Sequence, residues 1–263
     1  MTRIYIDAGH GGNDSGAVGN GLMEKDLTLD IALKTRDILN NEYEGHEIMM
    51  SRTTDVTKSL SARTNEANNW GADYFLSIHV NAGGGTGFES FIYNGSTLPD
   101  TPSLRNILHD TIMIHVDWFD RGKKSANFHV LRESNTSASL TENGFIDNAA
   151  DAEKLKSDDY LNRIARGHAE GLAEAFHLDR KDGGNGVYYR VIAGSFTSRR
   201  NAENLLDSLS EYGYDGFIGI FTHNDQTFYR VIVGSFQTRE NAKNRVDELK
   251  ADGFDAFIAV YEY

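Results

Sequence analysis

Ile4-Tyr-Ile-Asp-Ala-Gly-His-Gly-Gly12 runs from an apolar strand straight into a glycine-rich loop. Arg3–Asp7 reads as a buried strand that begins the fold, and His10 follows it where glycines let a ligand approach. Working outward, further strands are predicted at His46–Arg52, Tyr74–Val80, Phe88–Tyr93, Phe128–Leu131 and Ser139–Glu142. Helical patterns lie between them at Asp26–Asn41, Ser59–Trp70, Ser103–Phe119 and Asp158–Phe176. Strands alternating with helices predict an α/β fold, a largely parallel sheet flanked by helices. In such sheets the chemistry gathers at the carboxyl ends of the strands.

The last third of the chain follows a different pattern. Tyr188-Tyr-Arg-Val-Ile-Ala-Gly-Ser-Phe196 returns as Phe228-Tyr-Arg-Val-Ile-Val-Gly-Ser-Phe236, and aligning Val187–His223 with Thr227–Tyr263 gives 17 identities in 37 pairs. Each copy reads strand, helix, strand. In the first, Tyr189–Ala193 is followed by Ala202, Leu205, Leu206 and Leu209 at helical spacing, then by Phe217–Ile220. So short a unit cannot bury enough surface to fold alone. Two of them make one small α+β domain of ferredoxin-like βαββαβ order, both helices on one face of a four-stranded antiparallel sheet. The predicted layout is a first domain at 1–178, a linker at 179–186 and a second domain at 187–263.

Of the 263 residues 39% are hydrophobic and 25% charged, the balance of an ordinary globular protein. There is no cysteine, which excludes disulfides, thiolate metal sites and a cysteine nucleophile. A net charge of -13 argues against nucleic acid and anionic membrane as partners. No apolar run approaches the roughly 18–20 residues that cross a bilayer. The first residues lack the basic and apolar segments of a signal peptide, so synthesis in the cytoplasm without secretory export is expected. The loop Gly9–Gly21 has no Gly-Lys-Ser/Thr and opens no helix with GxGxxG, which speaks against nucleotide. No GxSxG elbow supports a serine triad.

Four residues remain. His10 follows the first strand, His79 ends Tyr74–Val80, Glu142 ends Ser139–Glu142, and Glu24 closes the glycine-rich loop just before a helix. Two imidazoles and a carboxylate, with a second carboxylate nearby, meet the needs of a catalytic zinc site. Zinc takes three protein ligands and keeps a position for water, whose pKa it lowers to about 7. The other carboxylate accepts and returns the proton. Each residue also has a plainer reading: a structural histidine, or an acid favoured at a helix start in the case of Glu24. Glu142 is harder to explain away, because a buried carboxylate is costly without a partner. The remaining seven histidines, His129 and His168 among them, are read as structural.

Together with Ser51-Arg-Thr53, Arg63, Ala67-Asn68, Ser77-Ile-His-Val-Asn81 and Leu140-Thr-Glu-Asn-Gly-Phe145, these residues give residues 1–177 a resemblance to the type 3 N-acetylmuramoyl-L-alanine amidases. The resemblance implies zinc held by His10, Glu24 and His79, Glu142 as the catalytic carboxylate, and peptidoglycan as substrate. Arg52, Arg63 and Asn81 are candidate substrate contacts, the two arginines being equally suited to bracing loops. The repeat is similar to the SPOR domain, on Gly194-Ser-Phe196, Asn201-Ala202 and Gly213 and their counterparts Gly234-Ser-Phe236, Asn241-Ala242 and Gly253. That implies binding of glycan strands stripped of peptide. Where this family often has Gln, Ile192 and Ile232 stand, and alternation with Val191 and Val231 faces them outward. With Arg190 and Arg230 they are the candidate glycan contacts. This pairing of domains resembles the mother-cell-lysis amidases of spore-forming bacilli, and phage endolysins share the catalytic domain. Both imply action at the wall once the membrane has failed, and a monomer is expected. A wall-binding protein without catalysis and a zinc endopeptidase cutting within the stem peptide are the alternatives.

Overall fold

The structure, a computed structural model, describes residues 1–181, 187–223, 226–236 and 239–262. It comprises two compact units, Met1–Asp179 and Arg180–Tyr263. Of the predicted linker, 182–186 lie outside the described residues.

The first unit runs β1 (Thr2–Ala8), a hairpin of β2 (Val18–Gly19) and β3 (Leu22–Met23), α1 (Glu24–Glu42), β4 (His46–Met50), α2 (Leu60–Trp70), β5 (Tyr74–Asn81), β6 (Phe88–Tyr93), α3 (Thr101–His115), β7 (Asp120–Ala126), α4 (His129–Arg132), β8 (Ser137–Phe145), α5 (Ala149–Leu155) and α6 (Asp158–Ala175). Six strands form one sheet in the order β4-β1-β5-β8-β6-β7. Every pair is parallel except β6 with β8. In β1, Ile4, Ile6 and Ala8 face a core completed by Leu27 and Ile31 of α1, Leu108 and Ile112 of α3, and Ile164 and Leu172 of α6. Tyr5 points the other way, into a second cluster with Phe75, Ala67 of α2 and Val130 and Leu131 of α4. Both faces of the sheet are covered, which is why its central strands read as unbroken apolar runs.

Three of the differences from expectation bear on the sheet and its edge. Phe128–Leu131 is not a strand: His129–Arg132 is a single turn of helix, Val130 and Leu131 being buried in the second cluster. Four residues, three of them apolar, are too few to distinguish a strand from a helical turn by periodicity. The edge position belongs instead to β7, whose sequence Asp-Arg-Gly-Lys-Lys-Ser-Ala has no apolar alternation to betray it. Such polar residues suit an edge that must not recruit other strands. Finally, β4 stops at Met50, because Arg52 turns inward to bind loop carbonyls.

The second unit contains β9 (Val187–Phe196), α7 (Arg199–Glu211), β10 (Phe217–His223), β11 (Gln226–Phe236), α8 (Arg239–Ala251) and β12 (Phe257–Glu262). Its sheet has the order β10-β11-β9-β12, antiparallel throughout. Val191, Ala193, Val231 and Val233 pack one face against Ala202 and Leu209 of α7 and Ala242, Val246 and Leu249 of α8. The two repeats thus share one core.

Candidate metal centre and active site

Adjacent strands β1, β5 and β8 deliver the site at their carboxyl ends, where α1 also begins. His10 lies two residues past β1, with φ at +60°. A non-glycine residue pays about 1–3 kcal/mol for such a conformation, and two contacts hold it. The His10 carbonyl accepts Arg63 Nη2 at 2.6 Å, and Asp14 Oδ2 lies 2.9 Å from His10 Nδ1. Two glycines make room for the side chains. A Cβ at Gly9 would stand 2.5 Å from the His79 ring, and one at Gly16 would stand 2.6 Å from Glu24 Oε2.

Glu24 is the first residue of α1 and is 4% exposed. Its Oε1 lies 3.2 Å from His10 Nε2 and 2.9 Å from His79 Nδ1, and also accepts the Val80 N–H. Its Oε2 accepts the Ala17 N–H at 2.8 Å. Burial alone would raise the Glu24 pKa, but the hydrogen bonds from His10 and His79 win and hold it well below the usual carboxylate range. For His10 burial favours the neutral ring, yet Glu24 and Asp14 together raise its pKa. Among the described residues, His10, Glu24 and His79 form the group able to hold a metal ion, their ligand atoms lying within 4.8 Å of one another. Two imidazoles and one carboxylate are a donor set of catalytic zinc sites. Asp14, by accepting the Nδ1 proton, fixes the tautomer that leaves Nε2 of His10 for a metal.

Glu142 is the register partner of His79 across β5 and β8. Its Oε2 is shut off from solvent and has no hydrogen-bond partner. Burial first, then the charges of Glu24 and Glu89, push its pKa well above the usual range, which favours the protonated carboxyl. It lines a cavity of about 350 Å3 with His10, Glu24, His79 and Asn81, whose apolar wall includes Leu60, Phe128, Val130 and Leu140.

Arg52 and Arg63 are 3% and 2% exposed, and both brace loops. Arg52 donates to the carbonyls of Ala8, Gly9, Lys25 and Thr54, and Arg63 pairs with buried Asp7 at 2.6 Å while binding Ala8, His10 and Lys58 carbonyls. Neither guanidinium is placed to meet a peptide carboxylate. Asn81 lines the cavity, its amide donating to Glu89 at 2.7 Å. Sequence reasoning passed over Asp14, Glu89 and the wall residues Phe128 and His129. Only Asp14, four residues after His10, carried a local signal.

In the second unit Ile192 and Ile232 do face away from the helices, but they are 1% and 3% exposed. They pair with each other in register and are flanked by Phe257 and Phe217, so the expected isoleucine contacts with glycan are corrected: neither side chain reaches the surface. On that same face Arg230 lies over the Phe221 ring at 3.4 Å and Arg190 over the Tyr261 ring at 3.7 Å. Each of these two pairs joins an arginine of one repeat to an aromatic ring of the other.

Comparison with known proteins agrees with this geometry. Residues 4–174 match the family described as N-acetylmuramoyl-L-alanine amidase, and residues 185–259 match the SPOR domain. A sporulation-specific N-acetylmuramoyl-L-alanine amidase of Bacillus subtilis is 54% identical over 218 residues, covering 83% of this chain and 84% of the relative. The endolysin of Bacillus phage SPP1 is 44% identical over 187 residues, covering 69% of each. The crystal structure of an N-acetylmuramoyl-L-alanine amidase from Clostridium difficile 630 superposes with a TM-score of 0.64 at 36% identity, covering 67% of this chain and 97% of that one. The catalytic domain of CwlV from Bacillus (Paenibacillus) polymyxa var. colistinus, also an N-acetylmuramoyl-L-alanine amidase, gives 0.64 at 34% identity, with 68% and 100% covered. The chain belongs to the N-acetylmuramoyl-L-alanine amidases and carries a SPOR domain behind the catalytic one.

Proposed function

We propose that the chain cuts the amide between the lactyl group of N-acetylmuramic acid and L-alanine with zinc held by His10, Glu24 and His79, while Glu142 moves the proton. The observation that carries this reading is the convergence of two imidazoles on Glu24 Oε1 in a cavity that Glu142 also lines. When bound, the metal supplies Lewis acidity, which makes water a competent nucleophile near neutral pH. Asp14 holds the Nδ1 proton of His10, and the backbone N–H groups of Ala17 and Val80 hold the Glu24 carboxylate in place. The Glu142 carboxyl takes a proton from the attacking water and returns it to the departing L-alanine nitrogen, so that an amine leaves. Its high proton affinity suits the second half of that exchange. The walls of Leu60, Phe128, Val130 and Leu140 lower the local dielectric and strengthen these charge interactions.

The products are free stem peptides and denuded glycan. The second unit holds that glycan on its open sheet face, with Arg190, Arg230, Tyr261 and Phe221 as contacts, which raises the local concentration of enzyme. The chain works as a monomer, at the wall, once the membrane has failed. The names of its sporulation-specific and phage relatives support that placement.

Digestion of purified walls with and without a chelator tests the reading. New N-terminal alanine without new reducing sugar, abolished by chelation and restored by zinc, is the expected result. New amino termini on other residues would make the chain an endopeptidase, and wall binding without amine release would make it a binding protein.

A further inference from the structure

Between His79 and Asn81 on β5, strand β8 carries two residues, Asn143 and Gly144, where β5 has only Val80. This is a β-bulge placed immediately after the catalytic carboxylate, and bulges re-aim the side chains beside them. Something must then fix how far β5 and β8 separate at that point. The Asn143 side chain crosses the bulge, its Nδ2 donating to the His79 carbonyl at 3.0 Å and to Thr141 Oγ1 at 3.2 Å. Thr141 Oγ1 lies 2.9 Å from His168 Nε2, and His168 Nδ1 lies 2.8 Å from the Ile164 carbonyl.

The chemistry allows one direction for this chain of bonds. A carbonyl only accepts, so His168 Nδ1 carries the proton and Nε2 is bare. The Thr141 hydroxyl donates to Nε2, which leaves its lone pairs to accept from Asn143. Asn143, Thr141 and His168 are each 0% exposed, so no water competes. Burial pushes the His168 pKa down to about 4, so the ring stays neutral and the direction does not change near neutral pH. The anchor is rigid as well. Gly167 presses α6 so closely against α3 that a Cβ there would stand 2.8 Å from Ile112 Cα.

We propose that His168, acting through Thr141 and Asn143, is a positioning residue that sets the separation of His79 and Glu142. The relay rests on the zinc reading above for its consequence, though not for its existence. It ties the metal ligand and the proton-moving carboxyl to one fixed helix at the last register pair before the bulge, beyond which the ladder is interrupted.

Three variants and one spectrum test it. Thr141→Val keeps the shape and removes the hydroxyl. It is expected to weaken zinc binding, read by competition with a chromophoric chelator, by about 10–100-fold, the range for lost partners of ligand residues. In the same variant kcat should fall while KM stays within about twofold, since the substrate touches none of the three residues. His168→Gln, which keeps an acceptor where Nε2 stands, should retain zinc affinity and kcat, whereas His168→Asn, which keeps only the Ile164 bond, should lose them. A merely structural role would lower the melting temperature of all three and leave zinc affinity and kcat of the folded protein alone, which would overturn the proposal. Should a variant fail to fold, nitrogen NMR of the wild-type imidazole decides: the Nδ1–H tautomer supports the relay, and the Nε2–H tautomer refutes it. Wild-type protein that binds no zinc would sink the zinc reading while the tautomer still judges the relay.

Discussion

Replacing Glu142 by Gln tests two consequences of one burial, and they have opposite signs. The carboxyl has a solvent-excluded oxygen with no partner and faces the charges of Glu24 and Glu89, which raise its pKa in the folded state. Glutamine keeps the shape and leaves an equally unpartnered amide atom there, so what separates the two side chains is the charge. A carboxyl whose folded pKa lies above its unfolded value, near 4.3, lowers stability at pH above the folded pKa. It costs nothing below the unfolded value, where it is protonated in both states. Metal-free Glu142→Gln should therefore be more stable than wild type near neutral pH, by an amount that grows by at most about 1.4 kcal/mol per pH unit above the unfolded pKa. At about 2–4 °C per kcal/mol each such unit adds at most about 6 °C in Tm. The advantage should shrink on acidification and vanish by about pH 4. The zinc-loaded variant should keep its metal and lose about 100- to 10,000-fold in amide hydrolysis. Calorimetry of chelator-treated protein at pH 7 and pH 4, with wall digestion of the loaded protein, reads both effects. A variant no more stable than wild type at pH 7, or one whose advantage persists at pH 4, would refute the burial argument. Undiminished hydrolysis would remove Glu142 from the mechanism.

Glu24→Gln removes the anion that both imidazoles meet, so zinc content after dialysis should drop from stoichiometric to trace, measured by atomic absorption. Arg63→Met leaves Asp7 buried with Ser77 as its remaining side-chain partner and should cost about 3–5 kcal/mol in urea unfolding at pH 7. Burial opposes ionisation of Asp7, but the Arg63 charge lowers its pKa. That stabilisation is present above the unfolded pKa near 3.9 and is lost as pH falls through the folded value, so the gap between wild type and variant should narrow in acid. Joint Arg190→Ala and Arg230→Ala should weaken binding to peptide-stripped walls in a pull-down and spare hydrolysis of a soluble muramoyl-peptide. With a net charge of -13 against a polyanionic wall, activity should rise as salt is added at low ionic strength, and a steady fall would point to a local basic patch instead.

The first unit was legible where chemistry and periodicity coincide. His10, Glu24, His79 and Glu142 stand beside strand ends or at a helix start, and that placement follows from local pattern alone. The strand β7 and the turn α4 were not legible, since their residues take their roles from neighbours distant in the chain. The same holds for Arg52 and Arg63. Their type and number suited either a substrate clamp or a loop brace, and only burial against Asp7 and the loop carbonyls decides for the brace.

What the amino-acid order settled by itself is what depends on short-range periodicity. That covers two α/β-type units, the repeat that builds the second, the absence of cysteine chemistry, and the three residues able to hold a metal with the carboxylate beside them. The tertiary structure alone decided what depends on which strands become neighbours. It brought Glu24 Oε1 between two imidazoles, withdrew Ile192 and Ile232 from the surface despite their correct facing, and set Arg190 and Arg230 over aromatic rings of other strands. It also joined His168 to the bulge beside Glu142. Alternation states which face a side chain takes. Its exposure and its partner depend on what the neighbouring strands bring to that face, and those strands are set by long-range pairing.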